Sequence, residues 1–368
     1  MKKFFAKISI YVFLFFGMTV YTYALDLESY MDILKESIPN DVKDNFSNLE
    51  MGYGLPDFSD IFSFALNEIG VQSLHPIKIL CTIIFIEILS SIYHSLSNFL
   101  KNKGINNIFE TVCSLVIALS ILKLSFESLD VTYSFIKKLS DFSLALFPLT
   151  SSVCILSGNL TEATVSTSAI ILFVGVCDKI MCLVLIPILK IILALSVCSS
   201  VNTARFDVGG VIKLLKNVFS TIIGFVMMLF LSVLSYQSII AGAADNLGVR
   251  TVKFTAGSAI PIVGTSVGEA LRTVGGSLSL LKSTIGGVGV SVILLLLLPC
   301  ILSLLLERIS LSVGAAISRI FGCKRESELL ESILSVYGYT TSLVCVCSIM
   351  LIFILSIFSS VSASLGGV

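Results

Sequence analysis

The chain has 368 residues, of which 55% are hydrophobic and only 13% are charged, and its mean hydropathy is +1.00. Soluble domains carry about 25% charged residues, so a soluble fold could not cover this much apolar surface and lipid must be the solvent for most of the length. The 24 basic and 24 acidic residues give a net charge of zero without a basic block, which argues against a nucleic-acid partner.

The N-terminus has the organisation of a secretory signal, with a basic start, an apolar stretch and a small residue at Ala24. We therefore predict a signal peptide over 1–24. The next segment, 25–75, holds ten acidic residues against only Lys35 and Lys43. Because basic residues favour the cytoplasmic side, this segment is predicted to be an acidic extracytoplasmic arm. This arm either binds a partner protein or is a solvent-exposed segment that precedes the membrane domain.

Apolar stretches of membrane-spanning length then follow along 76–360, the predicted polytopic membrane domain. A span needs about 20 mostly apolar residues, and on that measure about eight spans are expected. Basic residues at 101–103, 205–216 and 308–325 suit cytoplasmic loops, and the tail 361–368 is then external. The predicted spans are Ile79–Phe99, Ile108–Phe126, Phe142–Thr161, Ala163–Cys177, Ile180–Val201, Asn217–Ala244, Ser283–Leu306 and Val336–Phe358.

The order of proline-bearing, small-residue and amphipathic segments suggests an internal duplication of about 140–245 and 255–360. Pro148 to Pro187 and Pro261 to Pro299 are nearly equal intervals. Under the duplication, 259–290 corresponds to two membrane segments and is predicted to be a helical hairpin that dips into the bilayer. The fold class is thus all-α, with helices broken by proline and by the glycine pairs Gly275-Gly276 and Gly286-Gly287.

Residues within this hairpin are the first candidates for a functional site. Glu269 and Arg272 lie one helical turn apart and can pair, which lowers the cost of burying either charge. Lys282 follows, and Gly264 and Gly268 have the spacing that permits close helix contact. Short, glycine-interrupted segments in matching halves indicate a transport site. The alternative is tight helix packing without a path.

A second candidate lies in the first span, where Glu87 and His94 are two helical turns apart and share a face. A carboxylate within a span is a functional hypothesis by default, although it can also satisfy a helix contact. The ten cysteines lie in or beside apolar runs, so neither a metal nor a disulfide framework is expected. No catalytic or phosphate-binding motif occurs, so we expect neither an enzyme nor a cofactor.

Three blocks, "LFPLTSSVCILSGNLTEA" (146–163), "VKFTAGSAIPIVG" (252–264) and "SLSLLKSTIGGVGV" (277–290), occur in an order that resembles the stage III sporulation protein AE family of endospore-forming bacteria. The resemblance implies a multi-pass protein of the mother-cell membrane around the forespore. It further implies a subunit of a secretion-like channel, or feeding tube, that supports late forespore gene expression. The implied partners are the other stage III channel proteins, both membrane and ring-forming subunits, and a partner ATPase. The alternative is a non-conducting platform that anchors those subunits.

Overall fold

The computed structural model describes residues 70, 74–100, 103–156, 167–201, 208–259 and 264–360. Side chains are described over 76–92, 115–152, 167–199, 208–236, 285–323 and 325–356, with a few isolated positions besides. Within these residues every element is helical, as predicted. The helices are α1 (Leu74–Leu100), α2 (Lys103–Leu156), α3 (Thr167–Ile180), α4 (Ile186–Val201), α5 (Gly209–Ala259), α6 (Gly264–Ile320) and α7 (Lys324–Ser360), and a π-helical turn, Met181–Leu185, joins α3 to α4.

The predicted count of eight spans is not confirmed, because two pairs of predicted spans each form one continuous helix. The stretch 108–126 and the described part of 142–161, up to Leu156, both lie on α2, and 167–177 and 180–201 both lie on the α3–α4 unit. Charged residues separate the members of each pair, but charge alone does not end a helix without a glycine or proline stop. Four described helical segments are long and apolar enough to cross a membrane: Thr167–Ser199, Gly209–Tyr236, Ile285–Ile320 and Arg325–Ser356.

The predicted helix breaks are wrong. Helix α6 runs without interruption through Gly275-Gly276, Gly286-Gly287 and Pro299, and α2 likewise contains Pro148. A glycine costs a helix about 1 kcal/mol relative to alanine, which a long helix with a buried face can absorb. The predicted hairpin over 259–290 is therefore wrong from Gly264 onward, and the duplication that required it is not confirmed. Residues 260–263 lie outside the described part.

The α6–α7 hairpin forms the centre of the bundle. Gly322, at φ +79°, ends α6 in the left-handed conformation that glycine tolerates best. The Cys323 amide donates to the Ser318 carbonyl at 2.9 Å and the Gly322 amide to the Arg319 carbonyl at 3.1 Å. This pair of hydrogen bonds is the Schellman arrangement, which satisfies carbonyls at the helix end. The chain can therefore reverse in three residues and pack α7 antiparallel to α6.

Glycines on α6 allow α1 and α2 to approach closely. A Cβ at Gly314 would lie 3.0 Å from Ile83 Cδ1, and a Cβ at Gly289 would lie 2.8 Å from Leu146 Cδ2. Ile83 and Leu146 are fully buried. The small residues thus place α1 and α2 against the α6–α7 pair at interhelical distances that larger side chains would prevent. Helix α5, in contrast, exposes many apolar side chains over 209–236, the part whose side chains are described, including Met228 at 67% and Leu231 at 58%.

Candidate functional site

Glu307 is a buried carboxylate at the junction of α2, α6 and α7. The Ser128 hydroxyl donates to its Oε2 at 2.5 Å, and the Ser303 hydroxyl donates to its Oε1 at 3.3 Å. The Tyr337 hydroxyl lies 3.3 Å from the Oγ atoms of both Ser125 and Ser128. Hydroxyl donors from two other helices therefore surround a carboxylate that is only 2% exposed. The cluster fixes how α2, α6 and α7 are positioned relative to one another along their axes.

Glu87 is a second buried carboxylate, between α1 and the end of α6. It is fully buried, and the Ser318 hydroxyl donates to its Oε1 at 2.6 Å. The Cys323 thiol lies 3.7 Å from the Ser90 hydroxyl. Burial, with the neighbouring Glu87 carboxylate, raises the pKa of the Cys323 thiol to about 12, so this cysteine stays protonated at neutral pH. The hydrogen bond from Ser318 thus joins α1 to α6.

The residues predicted at 259–290 all lie on one helix. Gly264, Gly268, Glu269, Arg272, Gly275, Gly276 and Lys282 belong to the first five turns or so of α6. Their side chains, and that of His94 on α1, are outside the described part. The Glu269–Arg272 pair, the role of Lys282 and the role of the Glu87–His94 face therefore stay predictions.

Two contacts fix the position of α2 along the axis of α6; we call a position along this axis a height. Ser128 of α2 reaches Glu307 of α6, and further along the same two antiparallel helices Leu146 packs against Gly289. The contacts are equally far apart on both helices, about 27 Å at 1.5 Å per residue, which approaches the thickness of a bilayer core. Between the two contacts, α6 carries the uncharged run that ends at Leu306. This interval is the part of the bundle best suited to hydrocarbon.

Charged side chains nevertheless line one side of the bundle within this interval. Lys190 of α4 donates from its Nζ to Asp130 Oδ1 of α2 at 2.6 Å, although the two side chains are 36% and 65% exposed. Further along, Lys137 and Asp141 of α2 are within electrostatic range of Cys182, whose thiol donates to Asp178 Oδ1 at 3.5 Å. We call this surface the charged face; its members are Asp130, Lys137, Asp141, Asp178 and Lys190.

The charged face is poorly suited to contact with lipid. A charge near the bilayer centre costs about 2.5–3.5 kcal/mol on insertion scales. Lysine can extend its head group toward an interface, but the side chain of Asp141 is short, and Asp141 lies about 20 Å from the height of Ser128 and about 8 Å from that of Leu146. Helix α5 presents the opposite composition at similar heights, with apolar side chains exposed. The bundle therefore has one side suited to lipid and one side suited to water or to a polar partner.

Comparison with known proteins identifies the family. The family model described as "Stage III sporulation protein AE (spore_III_AE)" matches residues 40–362, most of the chain. The chain belongs to the stage III sporulation protein AE family. Stage III sporulation protein AE of Bacillus subtilis (strain 168) is 25% identical over 234 residues, which cover 64% of this chain and 57% of that protein. The chain thus spans somewhat over half the length of this curated relative, and no solved structure matches.

This member of the stage III sporulation protein AE family carries two features that the sequence interpretation missed. Glu307 follows directly on the uncharged run of α6, and it was taken as the first residue beyond a span. The charges at 127–141 and at 178–179 were placed between predicted spans. Their spacing carried a usable signal, because Asp130, Lys137 and Asp141 follow a helical period that predicts one face. Within the described residues, no group of three or more His, Cys, Asp or Glu side chains can hold a metal ion.

Proposed function

We propose that this chain is a membrane-embedded subunit of a sporulation-specific, secretion-like channel between mother cell and forespore, and that it supports late forespore gene expression. Membership of the stage III sporulation protein AE family supports the sporulation role. The charged face supports the channel role, because exposed charges beside an uncharged helical run require water or a polar partner. The partners would be the other stage III membrane and ring-forming subunits, and a partner ATPase would supply energy.

The path would run along the outside of the bundle. Two cavities described between its helices, beside Tyr337 and beside Cys347, have volumes of about 10 and 20 Å³. Such cavities hold a single water molecule at most. A conduit for larger solutes would therefore form where charged faces of several copies, or of this chain and a partner, meet. The Glu269–Arg272 segment of α6 would be a further part of its wall.

The proposed orientation assumes that successive helical segments cross the membrane in alternating directions. With the acidic arm outside, α1, the α3–α4 unit and α6 would run inward and end near residues 100, 201 and 320. Basic residues at 101–103, 205 and 324–325 follow these ends, which agrees with the preference of Lys and Arg for the cytoplasm. If α1 and α2 cross as well as the four segments named above, the six crossings have the same parity as eight, and the tail at 361–368 would still be external.

The alternative is a platform that anchors the other subunits and conducts nothing. The small internal cavities and the hydroxyl-held carboxylates favour this function, because they describe a tightly packed bundle. On this alternative the charged face binds a polar partner and water is excluded from it. The two functions differ in the expected effect of removing the charges of the charged face. A platform would lose complex assembly, whereas a channel would assemble but no longer let solutes pass.

Expression restricted to one compartment tests the proposed function. A strain that lacks the chromosomal copy should recover late forespore reporter activity when the chain is produced only in the mother cell. Production only in the forespore should leave the reporter silent, because the protein would insert into the wrong membrane. Membrane fractions from both strains should contain equal amounts of the chain, which serves as the control. Recovery from the forespore alone would contradict the proposed location.

A further inference from the structure

An open groove of about 750 Å³ lies between α6 and α7, on the inner side of the Glu307 cluster. Arg308 and Ser312 line it from α6, and Ser335, Tyr339 and Ser342 line it from α7. Small lining residues on both helices, including Ala316 and Gly338, leave this space unfilled by side chains. Two guanidinium groups and several hydroxyls therefore face one solvent-accessible space, the second guanidinium being that of Arg319.

The groove has an excess of positive charge. Arg319 forms an ion pair with Glu331, which also lines the groove, so these two charges offset one another. No ion pair is described for Arg308 in the part of the chain that the structure covers. Lys216 of α5 adds a further positive charge, since its Nζ donates to the Ser335 hydroxyl at 2.7 Å. Arginine and hydroxyl donors in this arrangement suit a phosphate group, which accepts several charge-assisted hydrogen bonds.

An apolar stripe on α6 runs beside Arg308 and Ser312, which line the groove. Leu305, Ile309 and Val313 are spaced at one helical turn and are 39%, 58% and 41% exposed. A ligand that contacts both this stripe and the two polar residues must carry a phosphate and an acyl chain together. Arg308 stands next to the end of the uncharged run of α6, so the groove lies where a bilayer has its head groups. These observations favour a phospholipid over free phosphate.

We infer that the α6–α7 groove binds the phosphate head group of an anionic phospholipid, with an acyl chain that passes Ile309 and Leu305 toward the uncharged run of α6. The site does not depend on whether the protein conducts or only anchors its partners. Arg308 supplies the unmatched charge, and Ser312 and Tyr339 supply hydroxyl donors. Bound lipid would fix the angle of the α6–α7 hairpin at the inner face of the membrane.

The test uses the purified full-length chain in neutral detergent. Phosphatidylglycerol should raise the thermal unfolding midpoint, whereas phosphatidylcholine at the same concentration should not. Arg308→Gln should weaken phosphatidylglycerol binding about tenfold, the loss expected for one charge-assisted contact. Lys179→Gln, which removes an exposed charge on α3, is the matched control and should bind as the wild type does.

Three results would overturn the inference. Equal phosphatidylglycerol binding by the wild type and Arg308→Gln would remove the groove as the site. An equal response to phosphatidylcholine would show that any bilayer lipid suffices and that charge is not recognised. Reproduction of the full shift by inorganic phosphate at the same concentration would assign the site to a free anion and not to a lipid.

Discussion

Replacing Lys137 and Asp141 together by leucine should abolish late forespore reporter activity while the chain still accumulates in the membrane. Both side chains are exposed, so their removal leaves the buried core unchanged. The double change is also neutral in net charge. If the charged face lines a water-filled path, two apolar side chains in its middle would dewet that path. The reporter activity and the membrane level of the chain are measured on the same cells.

The control for this change is Lys123→Leu with Glu127→Leu, on the same helix and of the same charge composition. These residues precede Ser128 and thus lie outside the interval beside the uncharged run of α6. The control should sporulate normally. A lipid-facing surface would give the opposite result, because removal of each charge from lipid would gain about 2.5–3.5 kcal/mol and the level of the Lys137–Asp141 variant would rise. Loss of partner assembly in that variant would favour the platform.

A leucine at Gly289 should sharply lower the amount of folded protein. The site is buried, and even a Cβ would lie 2.8 Å from Leu146 and 3.0 Å from Leu355, which are themselves buried. Extra atoms in a packed core cost about 1–3 kcal/mol, and the side chains here have little room to move. The measurements are the membrane level and the thermal unfolding midpoint in detergent.

Gly287 offers a matched control, because a Cβ there would meet nothing within 4 Å. Both changes gain the same intrinsic helix propensity, about 0.8–1 kcal/mol for replacing a helical glycine. Gly287→Leu should therefore be as stable as the wild type or slightly more stable. Equal destabilisation by both changes would mean that α2 and α7 do not contact α6 at this height.

Composition and periodicity were sufficient to predict that the described residues are helical and to locate several of the helices. The predicted spans 79–99, 217–244, 283–306 and 336–358 each fall within one helix. Runs of apolar residues carry this information locally. The continuity of α2 and of the α3–α4 unit was missed because charges between apolar runs, five at 127–141 and a pair at 178–179, look like a loop when their surroundings are unknown. Which side of a helix is buried depends on the helices that pack against it, and a local stretch of sequence does not contain that information.

The candidate site depended on contacts that a single sequence does not contain. Glu87 could be singled out as a carboxylate within a span, but its partner Ser318 is 231 positions away. Ser128 and Glu307 are 179 positions apart. These long-range pairs set the register of α1 and α2 against α6, and only that register shows that Asp130, Lys137 and Asp141 lie beside an uncharged run. The sequence analysis therefore favoured a different segment, 259–290.

Thiol accessibility tests most directly whether the charged face contacts water at bilayer depth. Ser134 lies on α2 between Asp130 and Lys137 and is exposed, while Ser220 is exposed on α5. Each is replaced by cysteine in a background that keeps only the buried Cys177, Cys182, Cys300 and Cys347. The other six native cysteines are changed to serine: the exposed Cys81 and Cys198, the half-buried Cys323 and Cys345, and Cys113 and Cys154. Tyr339 packs against Phe219, so Ser220 lies slightly nearer the inner edge of the interval than Ser134 does.

A hydrophilic maleimide is then applied to membranes from sporulating cells. The reaction requires a thiolate, and a thiolate requires water. Our account predicts that Ser134→Cys is modified and that Ser220→Cys is not, although Ser220 is nearer the membrane surface. Resistance of Ser134→Cys, or equal modification at both positions, would contradict a water-facing charged face.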